Sequence, residues 1–243
     1  KGMHKIWNQL VYIDLFAGAG FAQIKNKNKI YYSSSLIAMS TPIKFNKYIL
    51  CEKDPKLLNA LKIRVKKLFP GLNICYILGD SSQKVSMIKK ELPRYSKNNT
   101  MLPFCFVDPF SLNLHFSTIY KLAQGLMDFL ILLALHMDAN RNLQYYIKNN
   151  SKKIDLFVGD PNWRKEFQQS VTDGNAFVRY LAEKFDQNMI QLGYKKPEQK
   201  HHVRSSNKNL PLYYLAFYSK NKRGNDFYKK IKKTATGQTE LGI

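Results

Sequence analysis

Two hydrophobic rhythms alternate along the first 135 residues. One is a series of short, nearly unbroken apolar runs: residues 10 to 16, then the centres of "KFNKYILCEKD", "LNICYILGD", "LPFCFVDPF" and "MDFLILLAL". The other has apolar residues at helical spacing. It is clearest in "DPKLLNALKIRVKKLF", where Leu57, Leu58, Leu61, Val65, Leu68 and Phe69 share a helical period. Asp54 supplies the N-cap there, Pro55 takes the first helical position, and Pro70-Gly71 end the helix. "SLIAMST", "SSQKVSMIKKELPRY" (broken at Pro93) and "HFSTIYKLAQ" (ended by Gly125) predict further helices. Runs that are apolar throughout predict strands covered on both faces, and their alternation with helices predicts a parallel sheet.

After His136 the pattern changes. "MDANRNLQYYIKNNSKKIDLFVGDPNW" is polar and aromatic without a clear period, and reads as an insertion at about 137–170 in a single domain spanning 1–243. "NAFVRYLAEKFDQNMIQLGY" predicts a helix ending at Gly193. "EQKHHVRSS" and "PLYYLAFYSK", joined by the polar "NKNL", predict two antiparallel strands. "GNDFYKKIKK" predicts a last short helix, with the tail "TATGQTELGI" loose.

The chain has 243 residues, 44% of them hydrophobic, enough for a substantial core. Its longest apolar run, "FLILLAL", is far too short to span a bilayer. "KGMHKIW" has no apolar stretch of signal-peptide length. Cys51, Cys75 and Cys105 are odd in number and lack CxxC spacing, so they read as buried, reduced thiols of a cytoplasmic protein. No residues have the spacing of a metal site. Lys plus Arg total 39 against 17 Asp plus Glu, a formal charge of +22, which points to a polyanionic partner such as nucleic acid. The excess of Lys over Arg, with frequent Asn and Ile, is also what an AT-rich genome produces.

Acids then change the picture. Four predicted strands in succession end in one: Asp14, Glu52 with Asp54, Asp80, and Asp108. Open α/β sheets bind ligands outside these carboxyl ends. Capping accounts for Asp54 well and for Asp80 in part, but poorly for Asp14 and Glu52. In "VYIDLFAGAG", Gly18 and Gly20 allow a tight turn and close approach to a ligand. A dinucleotide fingerprint would need a third glycine where Gln23 stands, which disfavours a plain NAD site. An acid beside the turn suits a cationic ligand with an amino group. Glu52 is placed for two ribose hydroxyls, and Asp80 with Ser81 for an adenine amino group. Together these describe S-adenosylmethionine, cradled by Asp14, Phe16, Gly18, Ala19, Gly20, Glu52, Asp80 and Ser81.

The layout resembles the class I methyltransferase fold, a Rossmann-like three-layer αβα arrangement. Its seven-stranded sheet is mostly parallel, with an antiparallel seventh strand, here "PLYYLAFYSK", and here an insertion after strand five. More narrowly, "YIDLFAGAG", "SSSLIAMS", "KYILCEKD", "FCFVDPF", "FVGDPNW" and "PLYYLAFYSKNKRGNDFYKKI" resemble, in order, the three-Cys-motif partner proteins. Departures are Ala19, where that family more often has Pro, and Ser111, where Gly is usual. The resemblance implies S-adenosylmethionine as cofactor and a three-Cys-motif protein as a possible partner. The three cysteines of the family name belong to that partner, and the resemblance does not supply the substrate.

Asp108, Pro109 and Phe110 are similar to the motif of methyltransferases that act on exocyclic base amines. An aryl amine is a poor nucleophile because its lone pair is delocalised. The Asp108 carboxylate and the Pro109 carbonyl would accept its two N–H bonds, and Phe110 would stack on the base. The blander reading has Pro109 ending a strand and Phe110 in the core. The adenine motif has two prolines where this chain has one, so "DPF" is nearer the guanine-N2 methyltransferases of tRNA. Cytosine-C5 chemistry is disfavoured because Cys105 lies within a strand. His136 is a further pocket candidate, while His201 and His202 would point to opposite faces. Arg141, Asn142, Asp160, Trp163 and the Tyr145-Tyr146 pair belong to the insertion, as substrate contacts or as a satellite core. The expectation is an S-adenosylmethionine-dependent methyltransferase of a nucleic-acid amino group. The alternatives are a degenerate binding module, or a methyltransferase of protein or small molecules.

Overall fold

The computed structural model describes residues 6–23, 29–136, 138–139, 141–148, 151–168, 174–197, 200–204 and 211–238. They fall into two compact units: Lys1–Pro109 with Ser117–Met127, and Phe110–Phe116 with Asp128–Ile243.

The first unit contains β1 (Gln9–Asp14), a short pair β2 (Phe21–Gln23) and β3 (Ile30–Tyr32), α1 (Ser34–Ser40), β4 (Lys47–Glu52), α2 (Pro55–Leu68), β5 (Ile74–Leu78), α3 (Ser81–Lys90) and β6 (Met101–Val107). Helix α4 (Phe116–Leu122) follows. β1 pairs in parallel with β4 and β6, and β4 with β5. Tyr12, Tyr48 and Leu50 on one face pack under Leu36 and Met39 of α1 and Leu61 and Val65 of α2. The alternate positions Val11, Ile13, Ile49 and Cys51 are also buried, which is why these strands read as unbroken apolar runs. Asp54 caps α2 as expected, accepting from the amides of Lys56 (2.7 Å) and Leu57 (3.3 Å). The antiparallel β2–β3 pair was not expected.

The second unit contains β7 (Asp128–Leu133), α5 (Leu143–Lys148), α6 (Lys153–Val158), α7 (Trp163–Gln168), α8 (Gly174–Gln191), β8 (His201–Arg204), β9 (Pro211–Tyr218) and α9 (Lys222–Gln238). The stretch read as an aperiodic insertion thus forms three short helices. They pack through rings: Trp163 on Phe177 at 5.4 Å and Phe157 on Phe185 at 5.3 Å between centroids. Helix α9 runs to Gln238 through residues expected to be loose. Its threonines and Gly237 are weak helix formers, so local propensity understates it.

The seven principal strands follow the order β5-β4-β1-β6-β7-β9-β8, with β9 antiparallel to both of its neighbours. This mixed α/β architecture is that of the Rossmann-like class I methyltransferase fold. Among the described residues, no helix is long and apolar enough to cross a membrane.

Candidate functional site

Strand register arranges the acids of the first unit in tiers. Asp14 is level with Leu50 and Phe106, and Leu50 with Tyr76. Glu52 and Asp108 therefore lie two residues beyond that level, roughly 7 Å further along the strand direction. Asp80 lies four residues beyond.

The lower tier is closed. Asp14 is fully buried, and both of its oxygens are engaged. Oδ2 accepts from Tyr12 OH (3.1 Å), Ser34 Oγ (2.7 Å) and Ser35 Oγ (2.9 Å), and Oδ1 from the Phe16 amide (3.2 Å). Burial raises its pKa, and these donors act against the rise. Expected at the ligand, Asp14 instead sits beneath the turn and fastens the start of α1 to the end of β1. That explains Ser34 and Ser35 in "SSSLIAMS".

Every residue of the glycine turn is tied down. The Ala17 amide donates to Cys51 O (3.0 Å) and the Gly18 amide to Glu52 Oε2 (2.9 Å). Arg64 donates to Ala19 O, and the Ser33 amide to Gly20 O (2.8 Å). The two glycines have positive φ, +60° at Gly18 and +85° at Gly20, for different reasons. A Cβ at Gly20 would stand 2.8 Å from Leu61 Cδ1, so that glycine serves packing. A Cβ at Gly18 would meet nothing within 4 Å, so bare backbone faces open space there. Phe16 and Ala19 on either side are half-buried. Ser33 Oγ, next to this turn, is buried without a hydrogen-bond partner.

Glu52 is 8% exposed, and its Oε1 accepts from the Asp54 amide (2.9 Å). Each of its oxygens retains a second lone pair. Asp80 is exposed and caps α3 through the amide (2.8 Å) and hydroxyl (2.6 Å) of Ser82. Ser81 is buried, which leaves Asp80 as the accessible member of that pair.

Asp108 follows β6 at the surface, and Pro109 behind it is buried. Protein around the Asp108 carboxyl, and secondarily the Asp14 charge, push its pKa up to about 6. The exposed area admits water that screens part of this effect. Phe110 is 86% exposed, which overturns the reading of it as core. Ser111, at the position where glycine is usual in the resembling family, has φ +62°.

That residue opens a cluster in the second unit that sequence reasoning missed. Asp138, 6% exposed, accepts from Lys153 Nζ (2.6 Å), Tyr146 OH (2.6 Å), Asn142 Nδ2 (2.9 Å) and Ser111 Oγ. Burial raises the Asp138 pKa, but bonds from Lys153, Ser111, Tyr146 and Asn142 outweigh it and hold it at about 2. Lys153 also donates to Ser111 Oγ (2.8 Å), so the hydroxyl accounts for a side chain at a backbone angle that favours glycine. The spacing Asp138, Asn142, Tyr146 is helical and was the available signal.

The other candidates separate cleanly. Trp163 is fully buried and donates to Asp155 (2.7 Å), so it is core, as is Tyr146; Tyr145 remains 55% exposed. Asp160 pairs with Lys184 (2.8 Å), and Arg141 is exposed. His136 Nε2 lies 3.2 Å from Tyr214 OH. His201 is half-buried, and the side chain of His202 lies outside the described residues. Cys51 and Cys105 are buried and Cys75 half-buried, all free thiols, with burial first among the causes that push Cys51 up to about 12. Among the described residues no group of three or more His, Cys, Asp or Glu could hold a metal ion.

No protein-family model matches the chain, nor does any curated protein sequence. Solved structures that resemble it include a Legionella pneumophila protein, 15% identical over 63% of this chain and 68% of that one, with a TM-score of 0.42. An O-methyltransferase from Bacillus cereus in complex with S-adenosylhomocysteine is 9% identical over 87% and 74%, at 0.45. Trm1 from Pyrococcus horikoshii in complex with S-adenosyl-L-methionine is 10% identical over 90% and 53%, at 0.44.

Proposed function

We propose that the protein is an S-adenosylmethionine-dependent methyltransferase of an exocyclic amino group on a nucleic-acid base, akin to the three-Cys-motif partner proteins. The observation that carries this reading is the opening at Gly18. Bare backbone there faces open space, its amide is held by an acid with lone pairs to spare, and a buried hydroxyl, Ser33 Oγ, lacks a partner nearby. A polar ligand with hydroxyl donors and a close-lying chain fits those groups.

Glu52 would accept from the ribose hydroxyls and Asp80 from the adenine amine, while Asp14 acts from below by fixing the turn. The bound cofactor supplies an electrophilic methyl group on a sulfonium. The Asp108 carboxylate and Pro109 carbonyl would accept the N–H bonds of the target amine and keep its lone pair off the ring. With a pKa of about 6, Asp108 is mostly ionised at neutral pH yet basic enough to take the proton released on transfer. Exposed Phe110 offers a ring face to the base, and the +22 charge favours a polyanionic substrate. A protein partner of the three-Cys-motif kind is part of the same reading.

Calorimetry tests it. S-adenosylmethionine and its demethylated product should bind, and Glu52→Ala should weaken binding at least tenfold, the scale of lost hydrogen bonds to a charged group. Absence of binding at high protein concentration would overturn the cofactor assignment and favour a degenerate binding module.

A further inference from the structure

The first unit carries a strip of rings and cations that the chemistry above does not use. Phe21 of β2 and Tyr32 of β3 are cross-strand partners with centroids 5.6 Å apart, and Tyr32 meets the edge of Phe69 at 6.2 Å. A cation covers each end. The Arg64 guanidinium lies 4.9 Å from the Phe21 centroid, and Lys44 Nζ 5.7 Å from that of Phe69. Phe21 and Phe69 pack against the core of this unit, but Tyr32 is not part of that packing and is 40% exposed. The fold thus leaves a partly exposed ring between two cation-capped ones.

Charge around the strip has one sign. Helix α2 shows Lys67 to solvent on the side of Arg64, whereas Lys62 and Lys66 stand on its far side, where Lys62 Nζ lies 5.5 Å from the Tyr76 ring centroid. From Lys29 to Phe69 the only acids are Glu52 and Asp54, which hold the Gly18 amide and the α2 cap. The strip also abuts the glycine turn: Phe21 follows Gly20 in the chain, and the Ser33 amide, one residue past Tyr32, bonds Gly20 O.

We infer that this strip is a stacking platform for single-stranded nucleic acid, with Tyr32 receiving a base and Lys67 of α2 meeting a phosphate. Sequence-tolerant strand binding combines such parts: aromatic faces for bases along a positive track for the backbone. The inference rests on the nucleic-acid reading of the proposed function and adds where the strand runs.

Fluorescence anisotropy of the full chain with a labelled twelve-nucleotide RNA, and with DNA of the same sequence, tests it. Affinity should fall steeply with salt. Tyr32→Ala should weaken binding roughly tenfold at every salt concentration. Tyr32→Leu, which keeps apolar contact with Phe69, should lose a similar amount. Lys67→Gln should flatten the salt slope by roughly 0.7, one single-strand phosphate contact. S-adenosylmethionine binding should stay within twofold in all three variants. Preference for RNA or DNA in the parallel titrations identifies the source of the strand. Oligonucleotide binding that is unchanged in all three variants overturns the platform and leaves the proposed function standing. A wild-type protein that binds the cofactor but no oligonucleotide at low salt, or prefers an acidic peptide, overturns both the platform and the nucleic-acid target.

Discussion

The strand-end acids of the first unit and the paired acids of the second are held in opposite ways, although Glu91 of the first unit also pairs with Lys47 (2.6 Å). In the second, Asp138, Asp155, Asp160, Glu166 and Asp186 each hold a Lys or Arg within 2.9 Å. In the first, among the described residues, Asp14, Glu52 and Asp108 at the strand ends have no such partner, although cations are far more abundant than acids in the chain. Lys153 and its neighbours hold Asp138 at about 2, whereas burial and the Asp14 charge push Asp108 to about 6. A buried acid that serves structure is satisfied within the protein, by a cation as at Asp138 or by hydroxyls and an amide as at Asp14. One that serves a ligand is left for the ligand to satisfy, at a standing cost to the folded state. Asp128, at the start of β7, departs from this pattern: burial drives it up to about 6, and its bond from Ser219 acts against that rise.

Substitutions can break this contrast. The largest effect is expected for Asp108→Ala. Methyl transfer to an RNA or DNA acceptor should fall at least 100-fold, the scale of losing one group that stabilises a transition state, while cofactor affinity stays nearly intact. Retained turnover would show that the unpaired acid is not chemical. Next comes Asp138→Ala, which leaves Lys153 partly buried and unpaired. It should cost about 3 kcal/mol of unfolding free energy in denaturant titrations.

Ser111 sharpens the comparison at one residue. Ser111→Ala keeps the unfavourable backbone angle and loses the hydroxyl bonds, and should cost about 1–2 kcal/mol. Ser111→Gly loses the same bonds but relieves the angle, so it should stay within about 1 kcal/mol of wild type. Equal costs would mean that the angle carries no strain.

The smallest effect is in pH. The folded protein holds the Asp108 proton more tightly than the unfolded chain, whose ordinary value is 3.8. Its contribution is therefore unfavourable above about pH 6 and fades as pH falls towards 4. Asp138 has the opposite sign: its contribution is present above about pH 4 and is lost as pH falls towards 2. Asp108→Asn should raise the unfolding free energy slightly at pH 8, by no more than about 1 kcal/mol after solvent screening, and change little at pH 4, read from denaturant titrations at the two pH values. A loss of stability at pH 8 would refute the assigned cost.

What the sequence made legible follows from range. The parallel strands, α2 with its Asp54 cap, and the antiparallel β9 announce themselves within a dozen residues, because both faces of a strand or one stripe of a helix are buried locally. The β2–β3 pair did not, since three-residue strands leave no period to read. Helices α5 to α7 were missed because rings distant in sequence, such as Phe177 for Trp163, define their buried faces. At the site, the acids were visible as strand ends. Their tiers were not, because register between strands is a long-range property, and so the burial of Asp14 beneath the glycine turn was not foreseen. Asp138 gathers donors from positions 111 to 153, and only Asn142 and Tyr146 lie at a spacing that a reader could have followed.

The two tryptophans happen to be shared out one per unit. Trp7 in the first is half-buried, whereas Trp163 in the second is fully enclosed, with Arg164 4.5 Å from its ring centroid. Each half of the molecule therefore carries its own optical reporter. A Trp7→Phe protein would emit from Trp163 alone, blue-shifted while the aromatic core of α6 to α8 holds and red-shifted once it opens. Paired with a signal from the first unit, it would reveal whether the halves melt together or in sequence.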